Sequence, residues 1–314
     1  MHCAFRRTSA LPKTSISNSA LEFSTFVPTI ILIFASVLWG LSWIPIKFFN
    51  DRGLDGIPLV FASQLIIAVL LTPKGLDFER IRQSWKPALG IALCGGSAIL
   101  CFTYSLMHGD VVRVMVLFYL LPVWGVIGGK VFLNEQIDIM RWIGVIAAVI
   151  GAFLIVGGMQ ILNSPPTLID LWALLSGVFF AANNLFFRGS QSLTILNKLL
   201  VMFYGSVFIA GGLLLIDSPV WSQNFTPNTF IWLLCYSLFW LLLANLGTQW
   251  AVTQMEAGRS SIIIIMELVV AVVSAVLLNE SFLTPIETSG CILVIIAAFI
   301  EATRTNEPSK LPKS

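Results

Sequence analysis

Stretches of about twenty consecutive apolar residues recur from one end of this chain to the other, and no other feature constrains its fold as strongly. A hydrocarbon core about 30 Å thick is crossed by roughly 20 residues of helix. Ten such segments are expected, near residues 28–49, 57–73, 87–107, 112–133, 140–159, 168–187, 197–216, 229–251, 260–279 and 285–303. The links between them are short and carry turn residues, as in "DRGLDG", "NSPPT" and "NFTPN". Composition agrees: 57% of the residues are hydrophobic and 11% charged, where a soluble domain carries about 25% charged residues. A soluble enzyme of this size is excluded.

The basic residues set the expected orientation. With the N-terminus inside, one side of the membrane holds Arg6, Arg7, Lys13, Lys74, Arg80, Arg82, Lys86, Lys130, Arg141, Arg188, Lys198, Arg259, Arg304, Lys310 and Lys313. The other side holds only Lys47, Arg52 and Arg113. The positive-inside rule then predicts that both termini are cytoplasmic. Residues 1–27 are rich in Ser and Thr and lack an apolar core, so they read as a disordered cytoplasmic tail rather than a secretory signal. Residues 304–314 read as a second short tail.

Several chemistries are set aside. Five cysteines, mostly within apolar segments, do not form a disulfide framework. Two histidines, His2 and His108, leave no room for a histidine-rich metal site or a buried Ser-His-Asp triad. No Walker A sequence is present, so ATP is not expected to drive the chain directly. No nucleophile elbow or HExxH motif occurs either. No cofactor, no metal and no nucleic acid is expected.

The chain repeats itself at about half its length. "YLLPVWGVIGGKVFLNE" ends at Glu135 and "IMELVVAVVSAVLLNE" ends at Glu280. Each closes an apolar helix with Leu-Asn-Glu ahead of a short polar link and another apolar helix. Five helices per repeat is an odd number, so the second copy enters the membrane upside down relative to the first. Residues 28–159 form the expected first repeat and residues 168–303 the second.

These motifs resemble those of the drug/metabolite transporter superfamily, in particular its transporters built from two EamA domains. The family's fourth helix in each half carries an x-Pro or Glu-Pro, then small residues, then Leu-Gly-Glu. Leu121-Pro122 with Leu133-Asn134-Glu135, and Glu267-Leu268 with Leu278-Asn279-Glu280, are similar to it, as is Trp39-Gly40 in the first segment. Asn stands where the family usually has Gly, and Leu268 replaces the second proline, which predicts a straighter ninth helix. The resemblance implies an all-α membrane protein of ten transmembrane helices, arranged as two inverted five-helix EamA repeats. It also implies a single-chain carrier, hence a monomer.

Polar residues inside the apolar segments are the candidate site. A charge at the centre of a spanning helix costs roughly 2.5–3.5 kcal/mol on insertion scales. Glu267 lies about two turns inside its segment, so it should face the bundle interior. Ser260, Ile264, Ala271 and Ser274 share its face by helical spacing. Its functional reading is proton coupling or contact with a cationic substrate group. Its structural reading is a hydrogen bond between helices. Asn183 and Asn184 with Ser176, Asn245 with Thr248 and Gln249, and Tyr104 with Cys94, Ser97, Cys101 and Ser105 form further stripes. Together with Tyr119 and Trp43 they are expected to wall a central polar pocket. Pro122, Gly125, Gly128 and Gly129 are expected to serve helix packing or a hinge. Lys47, Arg113 and Lys130 are expected to snorkel. Glu135 and Glu280 are expected as fold elements, the former as a gate with a nearby Lys or Arg.

The expected function is secondary transport of a small organic metabolite across the cytoplasmic membrane. An amino acid, a related metabolite or an amphiphile is the expected substrate, with efflux the expected direction and protons a candidate driver. A non-transporting membrane scaffold is the main alternative, and a membrane-embedded enzyme a weaker one.

Overall fold

The computed structural model describes residues 18–54, 56–109, 111–157, 165–216, 226–278 and 283–303. These residues form helices and short links, with no strand among them. In chain order the helices are α1 (Asn18–Gly40), α2 (Trp43–Asn50), α3 (Gly56–Gly75), α4 (Phe78–Gln83), α5 (Trp85–His108), α6 (Val111–Phe118), α7 (Leu121–Leu133) and α8 (Ile139–Ile155). They continue as α9 (Leu168–Gly189), α10 (Ile195–Ile216), α11 (Pro227–Cys235), α12 (Leu242–Gln254), α13 (Ala257–Ile264), α14 (Met266–Leu278) and α15 (Pro285–Thr303). Among the described residues, nine single or end-to-end helices are long and apolar enough to cross a membrane. The shorter apolar helix α8 takes the fifth place in the order.

Local chemistry sets the helix ends. Asp77 and Asp138 accept the backbone N–H of Arg80 and Arg141 at the starts of α4 and α8. Thr167 and Asp170 form a reciprocal capping box at the start of α9. Asn134 ends α7 with φ of 54°, a left-handed position that asparagine tolerates. One sequence expectation shifts here. Helix α1 begins at Asn18, ten residues ahead of the expected start, so part of the expected tail is helical. A one-and-a-half-turn helix, α4, occupies the charged link between the second and third spans. The expected tails at 1–17 and 304–314, together with Asn279 and Glu280, lie outside the described residues.

The spanning helices are interrupted in a patterned way. The fourth span breaks at Tyr119-Leu120, between α6 and α7, and the ninth at Ile265, between α13 and α14. Counted from the closing glutamates (280 − 135 = 145), Leu120 and Ile265 are equivalent (265 − 120 = 145). The straighter ninth helix expected from the missing proline is therefore corrected. Its break forms without proline, so tertiary packing holds it. A π-helical turn at Tyr236–Leu241 joins α11 to α12, and Asn245 Nδ2 donates to the Leu241 carbonyl at 2.8 Å.

Packing crosses between the two halves of the chain. Helix α1 lies against α12, α13 and α14, while α9 lies against α5, α6 and α7. Helices α3 and α10 pack on one another, as do α8 and α15, and α7 and α13. The contacts of α1 and α9, of α3 with α10 and of α8 with α15 therefore survive when the first-half helices are exchanged for their second-half counterparts. Two glycines make the exchange specific. Gly40 on α1 presses against the Glu267 carbonyl and Val270, and Gly177 on α9 presses against the Phe118 carbonyl. Each glycine lets the first helix of one half approach the broken helix of the other, where a Cβ would collide.

Candidate functional site

The two helix breaks meet the polar stripes at the middle of the bundle. Glu267 sits in the first turn of α14, just past the break, where a helix N-terminus favours a carboxylate. It is half-buried. Tyr119, which lies in the matching break of the fourth span, stands beside it, so a phenol faces a carboxylate across the two broken helices. Tyr119 itself is buried edge-on against Phe118, which in turn meets Phe102 and Phe180.

A second polar group lies on α9 and α12. Gln249 Nε2 donates to Asn184 Oδ1 at 3.3 Å, and both residues are buried. Beside them Trp39 Nε1 donates to Thr248 Oγ1 at 3.1 Å. Adjacent residues Trp39 and Gly40 thus touch both groups, the indole at Thr248 and the glycine at Glu267. One turn on, Trp43 Nε1 donates to Ser274 Oγ at 3.0 Å, on the same helix as Glu267. The expected Glu267 face is cut at Ile265, yet Ser260, Ile264 and Ser274 all point into protein.

The remaining expected residues are placed apart from these groups. Asn183 turns to α10, where its Nδ2 donates to Met202 Sδ at 3.8 Å. Asn245 is committed to the π-helical turn. Tyr104 stands in the last turns of α5, 39% exposed and stacked on His108 at 4.3 Å between ring centroids. Asn183 Oδ1 and Gln249 Oε1 are buried with no hydrogen-bond partner among the described residues. Two clefts stand out, one lined by Leu65, Ile66, Val69, Leu70, Leu234 and Leu238, the other by Val269, Val270, Val273, Ser274 and Leu277. Both are apolar. Ser274 of the Glu267 face borders the second cleft, and of the stripe amides Asn184 and Gln249 pair across helices.

The glycines of α7 pack. Gly125 lies against Ser261, Gly128 against Leu185, and Gly129 against Glu135 and Ala257. Pro122 sits in the first turn of α7, where its missing N–H has no helical partner to lose.

Sequence reasoning passed over one end of the bundle. Arg141, 2% exposed, pairs with Glu256 and, at 3.1 Å, with the fully buried Glu301. Glu135 accepts the backbone N–H of Ala257 at 2.8 Å and of Gly258 at 3.4 Å, capping α13. Arg188 lies near enough to act on the same carboxylate, while the groups bonded to it are these backbone N–H groups. Burial pushes the Glu135 carboxyl above its ordinary value; the Ala257 N–H works against this, and nearby Glu256 adds to it. Four C-terminal carbonyls at this end also take side chains from other helices. Asn197 donates to Gly75 O at 2.8 Å, Lys198 to Phe187 O at 2.6 Å, Arg188 to Thr253 O at 2.9 Å and Arg259 to Ala302 O at 2.6 Å. Lys198, Arg188 and Arg259 carried the positive-inside argument, and their second use was signalled only by Glu256 and Glu301 lying at the ends of the same apolar segments. At the opposite end Arg113 pairs with Asp170 at 3.0 Å rather than snorkelling.

Residues 27–157 match the model of the EamA-like transporter family. That match contains Trp39-Gly40 and the Leu121-Pro122 to Glu135 motif, the residues that suggested the resemblance in the first half. No curated protein matches the chain. One solved crystal structure superposes with a TM-score of 0.69 over 87% of this chain and 96% of its own, at 13% identity. At that identity the likeness is one of fold.

Proposed function

We propose, starting from a first half of EamA-like transporter type, that this chain is a secondary transporter of the cytoplasmic membrane. In this reading residues 28–159 and 168–303 are two inverted five-helix repeats, with both termini in the cytoplasm. The exchange-symmetric packing of α1 and α9 against the opposite half supports it. A small organic metabolite, such as an amino acid, a related molecule or an amphiphile, crosses as one half rocks against the other, and efflux is the working direction.

The observation that carries the reading is the Tyr119–Glu267 pair at two equivalent helix breaks. A carboxylate set beside a phenol between broken helices can hold a proton or a cationic substrate group, and movement of either half changes its surroundings. Asn184, Gln249, Asn183, Asn245, Trp43 and Tyr104 belong to the same proposed pathway. The unpartnered oxygens of Asn183 and Gln249 supply acceptors for a donor-bearing substrate.

The test begins with thermal shifts of purified protein against amino acids, nucleosides, vitamins and cationic drugs, because a ligand of the folded state raises Tm by mass action. Hits go to proteoliposomes with and without a pH gradient. Glu267→Gln should keep a normal melt and lose pH-dependent flux. Unchanged flux and pH dependence in that variant would remove Glu267 from the mechanism. A variant that fails to fold would leave Glu267 as a link between helices.

A further inference from the structure

Two sets of charged side chains join the halves of the chain, and they lie at opposite ends of the bundle. Arg113 is in the first turns of the fourth span, and its carboxylate, Asp170, is in the first turn of α9. Arg141 is in the first turn of α8, and its partners are Glu256, just ahead of α13, and Glu301, in the last turn of α15. The fourth and fifth spans are consecutive and antiparallel, so their starts lie at opposite faces. Each set ties a first-half helix to second-half elements. The helix breaks, with Tyr119 and Glu267, lie between the two sets along the fourth and ninth spans.

The sequence carries a sign of the same symmetry. In the register of the closing glutamates, Arg113 falls at Gly258, one residue from Arg259 (113 + 145 = 258). Arg113 reaches α9, the first helix of the second half, through Asp170. Arg259 reaches α1, the first helix of the first half, through Thr29 Oγ1 at 3.1 Å. One arginine per broken helix therefore clasps the leading helix of the other half, at opposite faces. At the Arg141 end, Glu135 adds a carboxylate on the α13 N-terminus.

We propose that the Arg113–Asp170 pair and the Arg141–Glu256–Glu301 cluster are the two gates of the carrier, opened in alternation. This rests on the transport reading above. Both gates are formed in this structure. A buried ion pair suits a gate because separating its partners is strongly unfavourable until water enters to solvate both. Such a contact has two discrete states, sealed and hydrated. Opening one gate separates helices that, across the pivot of the breaks, must close on the other.

The experiment needs no substrate. A chain with all five cysteines replaced by serine carries one reporter, either Ser260→Cys behind the Arg141 cluster or Ser176→Cys behind Arg113–Asp170. Both serines are buried. A membrane-impermeant maleimide is applied to each face of proteoliposomes, and Tm is measured alongside. Glu256→Gln, or Glu301→Gln if the first variant does not fold, should raise labelling of Ser260→Cys at least about tenfold and lower that of Ser176→Cys. Arg113→Gln should do the reverse. Labelling that rises at both reporters reports loosening, and labelling that stays flat while Tm falls reports structural pairs; either result overturns the proposal. Opposite changes without flux of any tested solute would leave the gates and remove the substrate assignment. Flux with no opposite changes would do the converse.

Discussion

At the residue scale, the legible positions were those whose chemistry conflicts with their surroundings. Glu267 stands out in an apolar run, and its inward placement followed from the cost of exposing it to lipid. Arg141 and Glu301 did not stand out, because charges near span ends have an easy alternative in snorkelling. Only the fold shows that both are sealed from solvent. The glycines give a sharp check. Gly40→Ala and Gly177→Ala put a methyl against backbone carbonyls and should each destabilise by roughly 1–3 kcal/mol. Gly212→Ala meets open space on α10 and should be neutral or stabilising by up to about 1 kcal/mol, read from melting in one detergent. Glu135 predicts a pH effect. Its carboxyl titrates higher in the fold than the ordinary value of 4.5, so the folded state binds the proton more tightly. The stability of the native chain relative to Glu135→Gln should be highest below pH 4.5 and decline as pH rises through the raised value. A difference in Tm that is flat with pH would reject this.

At the element scale, the spans were legible from hydropathy and length, and their interruptions were not. Pro122 invited a kink inside one helix, yet it sits at the start of α7, after the break. The ninth span breaks at the equivalent position beside Leu268 with no proline at all. The common cause is packing: Gly177 against the carbonyl of Phe118 and Gly40 against that of Glu267 hold the two broken helices. Pro122→Ala should therefore cost less than about 1 kcal/mol and leave the Tyr119–Glu267 pair in place. A large loss of melting temperature would return the break to the proline. The π-helical turn at Tyr236–Leu241 was equally hidden, since nothing in "YSLFWL" distinguishes it from ordinary helix.

At the scale of the whole molecule, the first helix of each half is covered largely by the other half. Helix α1 is held by α12, α13 and α14, and α9 by α5, α6 and α7. Residues 1–163 or 164–314 produced alone should aggregate or degrade in membranes. Produced together, they should co-purify as a one-to-one complex on size exclusion. Stable separate halves would mean that the seam is a docking contact between finished domains. The fold likeness over 87% of the chain at 13% identity shows that this architecture tolerates nearly complete replacement of side chains.

The sequence by itself determined that the chain is a bundle of membrane helices and that it repeats at mid-length. It also set the expectation that Glu267 faces the bundle interior. Each of these follows from local cost, whether residues per bilayer, spacing along one helix or a charge among hydrocarbons. The tertiary structure alone decided which helices break, which amides pair and which charges seal the ends. Those outcomes depend on distances between residues far apart in the chain, such as Trp39 and Thr248 or Arg141 and Glu301, and no local preference encodes such a distance.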